Sequence, residues 1–379
     1  MLPSVTSIIR FSLGFNHDPR LIQGLKVLND IYGARAQVDE VFGALPDAPL
    51  PSARPSSRLP RITWTEFAEQ VQRLRDADIA YNYLFNTAST PKFGVVPELR
   101  DYLFRLRDAG VTRLTVGTPA LCRLVREMMP GFHLTISITH GIDSVVKLMD
   151  AEEAGPDALY LQPVTVNRNF ALLRQLVFTA RCECRLYANV SCISGCPVVD
   201  QHYRLFASQL HTNVARVNDL FYAGCSMVKI SDPVEWIQMP WIRPEDVPVY
   251  AKEGIRHFKL SDRLASTDVL LMIAEHYLKG KSPEDMFPLI ERDGTKFQQL
   301  ATRETGSEHP FYIRSCSIPS DFIEHFRRGY CTSRDVECPV CQKVAQETVI
   351  KNGNWLFSEC GLRAVASAPH PLKQRAAVN

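Results

Sequence analysis

The sequence predicts an α/β protein: a (β/α)8 TIM-barrel-like domain with a C-terminal cysteine-rich extension. Strand-like apolar runs alternate with amphipathic helical stretches about eight times, the repeat that such a barrel requires. The predicted strands end on polar residues, as the active-site face of a barrel does. No G-x-G-x-x-G or G-x-x-x-x-G-K-[ST] element follows a strand, which weighs against nucleotide-binding forms of the competing architecture, a doubly wound open sheet.

The elements read in order as follows. Ile8 to Phe15 is strand-like and leads into Asp18 to Asp30, where Leu21, Leu25 and Leu28 recur at helical spacing. Ala34 to Phe42 comes next. The loop from Ala44 to Arg61 is rich in Pro, Ser and Arg, and a segment of that length reads as a lid or a disordered excursion. Thr63, with Glu66 three residues on, forms a capping box that opens a helix to about Ala77. Further strands are predicted at Ile79–Asn86, Val111–Val116, His133–His140, Ala158–Gln162, Arg185–Val190 and His257–Leu260. Between them lie helices at Val96–Ala109, Pro119–Met129, Asp143–Ala154 and Phe170–Ala180. A last helix from Ala265 to Lys279 is stopped by Gly280. The barrel is assigned to residues 1–285, with its Pro-rich loop at 44–61, and the extension to residues 286–379.

Of the 379 residues 45% are hydrophobic and 22% charged, an ordinary globular composition, and a net charge of +2 gives no global attraction to nucleic acid. No apolar run approaches the roughly 18 residues that a membrane span needs. The opening MLPSVTSIIRFSLGFNHDPR is too polar for a signal-peptide core, so a cytoplasmic location is expected, with no membrane partner.

Eleven cysteines then need a purpose, because cytoplasmic thiols rarely form structural disulfides. Cys122, Cys182 and Cys184 lie in apolar or strand-like surroundings and read as buried thiols. Cys316 stands alone in a polar loop. The other seven fall in short spacings beside Gly, Pro and turn residues. Asn189-Val-Ser-Cys192-Ile-Ser-Gly-Cys196-Pro197 is the sharpest signal. Its C-x3-C spacing can place two sulfurs on one metal centre, Gly195 frees the backbone to wrap it, and Pro197 stops continuation as a helix. Cys225 is a candidate third ligand. Further on, Cys331, Cys338, Cys341 and Cys360 supply four thiolates around a C-P-x-C knuckle, which suit zinc or an iron–sulfur cluster equally well.

The predicted strand ends carry Asn16, Glu40, Asn86, His140, Gln162, Asn189 and Lys259, with Arg263 just beyond. Together they would make a polar mouth. Lys259 and Arg263 flank the last strand, where a barrel collects anionic substrate groups. Arg243-Pro-Glu245-Asp246 reads as a helix start with Pro and acids in its first turn. His202 follows the C-x3-C motif and is a candidate for catalysis or for a satisfied structural histidine.

At these residues the sequence resembles a family. The run Asn189…Cys192…Cys196-Pro197…His202, then Cys225, then Ile242-Arg243-Pro244-Glu245-Asp246…Tyr250…Phe258-Lys259-Leu260…Arg263, is similar to the collagenase-like peptidase family U-32, from about Asn82 onward. The tail Phe322…Cys331…Cys338…Cys341 resembles the cysteine cluster of one branch. The resemblance implies a barrel, a 4Fe-4S cluster held by cysteines, and oxygen-independent hydroxylation of a quinone precursor or RNA base. The C-x3-C spacing departs from the longer one of the broad family, which bears on the substrate.

The expected function is therefore an iron–sulfur enzyme acting by oxygen-independent hydroxylation or related redox chemistry on a small molecule, peptide or RNA. It would need an electron donor or acceptor and could work as a homo- or heterodimer. His202, Lys259 and Arg263 are the expected catalytic residues. Glu40, Asn86, His140, Asn189 and Arg168 are the expected substrate contacts. Cys192, Cys196, Cys225, Cys331, Cys338, Cys341 and Cys360 are the expected metal ligands, with zinc as the alternative at the C-terminal four. A peptidase is the competing enzyme, although no G-x-S-x-G, H-E-x-x-H or oriented Cys–His pair is present. A partner subunit with a structural cluster is the non-enzymatic alternative.

Overall fold

The computed structural model describes residues 8–54, 56–88, 96–209, 220–260, 265–291, 294–307, 310–331, 339–351 and 354–355. Eight parallel strands close into a barrel in chain order: β1 (Ile9–Gly14), β2 (Ala36–Gly43), β3 (Ala80–Phe85), β4 (Arg113–Val116), β5 (His133–Ile136), β6 (Ala158–Tyr160), β7 (Glu183–Tyr187) and β8 (His257–Leu260). Closure comes from β1 pairing with β8, with Arg10 opposite His257 and Leu13 opposite Leu260. The chain is a (β/α)8 barrel, and each predicted strand falls on an observed one.

The helices form where local chemistry asks for them. Thr63 and Glu66 complete the capping box of the helix Trp64–Asp76, which buries Phe67, Val71 and Leu74 against the barrel. Ser266 caps Thr267–Lys279, and Gly280 ends it in the left-handed conformation at φ 68°. The fifth strand is shorter than its apolar run suggests. Ser137 caps a 3-10 turn, Ile138–His140, and Gly141 at φ 74° follows, so the chain bends away after Ile136.

Of the two forms expected for the loop at 44–61, a lid or a disordered excursion, the structure favours a cover. Ala44, Leu45, Leu50, Ser52 and Leu59 are buried. The Leu45 amide donates to the Tyr83 hydroxyl at 2.9 Å and the Ala53 amide to Asn86 Oδ1 at 3.0 Å. Its apolar residues and its satisfied amides pin it over the barrel, so it is a packed cover and not an excursion.

After the barrel, Phe311–Ile313, Val349–Lys351 and Asn354–Trp355 make a small antiparallel sheet. Trp236 joins it to the barrel side through rings of Phe287, Phe297 and Phe311 at 5.0, 5.4 and 5.2 Å. None of the described helices is long and apolar enough to cross a membrane.

Candidate functional site

Two regions of the barrel gather chemistry-bearing side chains, one at each end. At the N-terminal end, Arg10, Asp39, Glu40, Arg113, Glu183, Arg185 and His257 form a charged network. Glu40 pairs in register with Ala80, the first residue of β3, and not with a strand end. Its carboxylate, 1% exposed, accepts from Ser12 Oγ at 2.7 Å, Asn82 Nδ2 at 2.9 Å and Arg113 Nη1 at 3.1 Å, with Arg185 Nη1 at 3.7 Å. Arg10 and Arg185 both pair with Glu183. Burial would push the Glu40 carboxyl up, but the nearby positive groups, Arg185 foremost, hold it well below the usual range. Burial likewise keeps His257 neutral by driving its pKa far down. Glu40 therefore corrects the expectation of a mouth residue: it is the hub of an internal ion network.

The C-terminal end holds the thiols. After β7 the chain turns through Cys192–Cys196, with Gly195 in the left-handed region at φ 62° and its amide donating to the Val164 carbonyl at 3.0 Å. This is the conformation for which the glycine was singled out. Cys225 arrives from the helix Leu220–Ser231. Burial, then the neighbouring Cys225 and Cys196, push the Cys192 thiol up to about 12. Tyr203, one turn into the helix Val199–Gln209, feels Cys192 and Cys196 as well.

A buried ion pair stands beside them. Lys229 Nζ meets Glu291 at 2.6 Å, both side chains 1% exposed, under the rings of Phe297 and Trp236 at 4.9 and 5.2 Å. Sequence reasoning passed over this pair. The signal was available: Lys229 lies four residues after Cys225 and so shares its helix face.

Next to the thiol turn is a cavity of about 240 Å³. Arg168, Ser194, Phe326, Cys331 and Cys341 are among its lining residues. The structure thus brings three of the predicted site residues, Arg168, Cys331 and Cys341, to one space beside the C-x3-C turn. Arg168 lies among Trp241, Phe326 and Phe322 at 4.7, 4.8 and 5.5 Å and donates to the carbonyls of Ile237 and Trp241. Its Nε has no partner among the described residues.

The remaining predicted residues separate. Lys259 points into the barrel, with Nζ 3.9 Å from the Phe42 ring centre and 5.2 Å from that of Tyr160. Asn189 is fully buried. Asn86 holds the loop through Ala53, and Asn16 ties the β1 end to Ala265 and Thr267. His202 packs 5.5 Å from the Phe221 ring. His140 and Gln162 sit at the ends of β5 and β6, and neither His140 Nε2 nor either amide atom of Gln162 has a partner among the described residues. Arg243 and Asp246, read as a helix start, are also a buried ion pair at 2.8 Å. Arg263, Cys338 and Cys360 lie outside the described residues.

The donor chemistry suits a thiolate-bound group: Cys192 has Cys196 and Cys225 as neighbours, and two more thiols line the adjoining cavity. Among the described residues no three His, Cys, Asp or Glu side chains close around a single ion.

A (β/α)8 barrel carrying thiols beyond the end of its seventh strand defines the class. The chain is 22% identical over 288 residues to a Methanocaldococcus jannaschii protein named "Uncharacterized protease MJ1657", covering 75% of this chain and 81% of that one. The likeness runs over three quarters of this chain. No protein-family model matches. Solved structures with similar folds include the U32 peptidase Mk0906, at 18% identity and TM-score 0.47, covering 69% of this chain and 96% of that one. A GH113 β-1,4-mannanase aligns at 10% identity and TM-score 0.39, over 72% and 99%.

Proposed function

We propose that this protein is an iron–sulfur enzyme of U-32 type that modifies its substrate by oxygen-independent hydroxylation or related redox chemistry. The observation that carries the reading is the turn bearing Cys192 and Cys196 beyond the C-terminal end of β7, where a barrel performs its chemistry, with Cys225 supplied by the helix Leu220–Ser231. With a cluster bound, these thiols would hold a one-electron carrier there. Cys331 and Cys341, on the adjoining cavity, would hold a second thiolate-bound group or complete the first, with Cys338 and Cys360 as further donors.

The chain's own residues then have distinct tasks. Lys229 sets a buried positive charge near the thiols and favours anionic sulfur. Lys259 offers a cation inside the barrel for an anionic substrate group. Arg168 anchors the cavity wall through backbone carbonyls. The substrate is a small molecule, a peptide or an RNA base, and an electron donor or acceptor completes the reaction.

The second reading is a peptidase, favoured by the name of the archaeal relative. Within the barrel Ser12 Oγ lies 2.6 Å from His257 Nε2, the spacing of a nucleophile and its base. Ser12 is 0% exposed, and the nearest carboxylate to His257 Nδ1, on Glu183, is 4.0 Å away. That pair is sealed inside the barrel and poorly oriented.

The two readings separate in one assay. Substrate modification and peptide cleavage are followed anaerobically, with and without an electron donor or acceptor. Redox-dependent modification is expected; peptide cleavage by cluster-free protein, indifferent to redox conditions, would overturn the reading.

A further inference from the structure

The argument for a polar recognition point starts from Gln162. This side chain is 1% exposed at the end of β6, and both its amide oxygen and its amide nitrogen lack partners among the described residues. A buried amide with neither its donor nor its acceptor engaged is disfavoured by folding alone and is available to a ligand. Its surroundings say which. Gly141, at φ 74°, lets the Asp200 carboxylate come close: a methyl group there would lie 3.0 Å from Asp200 Oδ1 and 3.7 Å from Gln162 Nε2, so carboxylate and amide meet over this glycine. His140, the preceding residue, keeps Nε2 buried and unpartnered among the described residues. Lys147 is already engaged, by the Gly141 carbonyl at 3.1 Å and by Asp143 at 2.9 Å.

We propose that Gln162, His140 and Asp200 form a subsite for the neutral carboxamide group of a ligand. A primary amide can pair head to head with Gln162 through two hydrogen bonds. Its remaining N–H then has the Asp200 carboxylate as acceptor. A ligand carboxylate could accept from Gln162 but would face Asp200, and so is disfavoured. The subsite rests on the reading of the C-terminal barrel end as the substrate end, and not on the cluster itself. It also stands next to the thiols in sequence and space, because Asp200 follows Cys196 into the helix that carries Tyr203.

Benzamide is the probe and benzoate its charged counterpart, with binding to the anaerobically isolated full chain followed by saturation-transfer NMR. Benzamide is expected to bind, and benzoate about tenfold more weakly or worse. Gln162→Leu should weaken benzamide about tenfold or more while melting no lower than the parent, since it removes two unpartnered atoms. Gln162→Met, of the same length, serves if the leucine variant misfolds. Asp200→Asn should narrow the preference over benzoate. No benzamide binding by the parent protein, or equal binding after loss of the amide, overturns the subsite. Iron and sulfide are measured on the same samples. Iron-replete protein that ignores benzamide defeats the subsite alone, and benzamide-binding protein without iron defeats the cluster alone.

Discussion

The two ends of this barrel use the same kinds of residue to opposite effect. At the N-terminal end three arginines face three carboxylates, and Glu40, Ser12, Asn82, Thr115 and His257 are tied to one another across five strands. Its loosest atoms, Asp39 Oδ1, Arg185 Nη1 and His257 Nδ1, make no hydrogen bond among the described residues, but each lies within 4.0 Å of a polar group of the network, on His257, Glu40 and Glu183 respectively. At the C-terminal end Cys192 has the Cys196 and Cys225 thiols for neighbours, and neither amide atom of the buried Gln162 has a partner among the described residues. A network balanced within itself serves the fold, whereas groups left in mutual conflict or without partners await something from outside. Charge density alone therefore does not mark a site.

The sharpest way to break the comparison is to unbalance the N-terminal network. Glu40→Ala removes the buried carboxylate that Arg113, Arg185, Ser12 and Asn82 share and should lower stability by about 3–5 kcal/mol, measured by urea unfolding. If Glu40 bound substrate instead, the variant would unfold normally and lose turnover.

Lys259→Ala probes the barrel interior above that network. If Lys259 meets an anionic substrate group, the variant should lose about 1.5–3 kcal/mol of transition-state stabilisation, on the order of ten- to a hundredfold in kcat/KM, with iron content unchanged. Unaltered kcat/KM would leave Lys259 a structural part of the barrel interior, beside Phe42 and Tyr160.

These residues also show how much was legible beforehand. All eight strands were readable, because parallel barrel strands are apolar on both faces and their helices carry capping signals such as Thr63 and Glu66. The thiol turn was readable because Gly195 and Pro197 punctuate it. Glu40 was misplaced, since a carboxylate near the end of an apolar run looks like a strand end. Its true depth depends on the stagger of β2 against β3, which no local pattern reports. The loop at 44–61 stayed open between lid and excursion for a related reason: Leu45, Leu50 and Leu59 are too sparse to announce a buried face, and their partners lie on distant strands.

Acid should act on the N-terminal network first. His257 is held neutral in the fold, its pKa driven down by burial and then by Arg185, whereas the unfolded chain takes up a proton near pH 6.5. Stability should therefore fall as pH drops below about 6.5. Glu40, held low, adds a further loss below about pH 4.3, and Asp39, raised mainly by burial, opposes it in part. Thermal melts should show a shallower decline between pH 7 and 5 in His257→Gln than in the parent protein. Equal slopes would remove His257 as the sensor.

The smallest effect is expected from Ser12→Ala. Loss of its hydrogen bonds to Glu40 and His257 should cost about 1–2 kcal/mol of stability and leave turnover at the parent level. Loss of peptide cleavage with stability intact would instead make Ser12 a nucleophile and shift the chemistry to the wrong end of the barrel.

The central claim is that the C-terminal thiols hold an iron–sulfur cluster. Anaerobically prepared protein should be brown and contain iron with acid-labile sulfide, and Cys192→Ala or Cys196→Ala should lose much of the iron and all activity. Colourless protein carrying only stoichiometric zinc, or cysteine variants with full iron and activity, would contradict it.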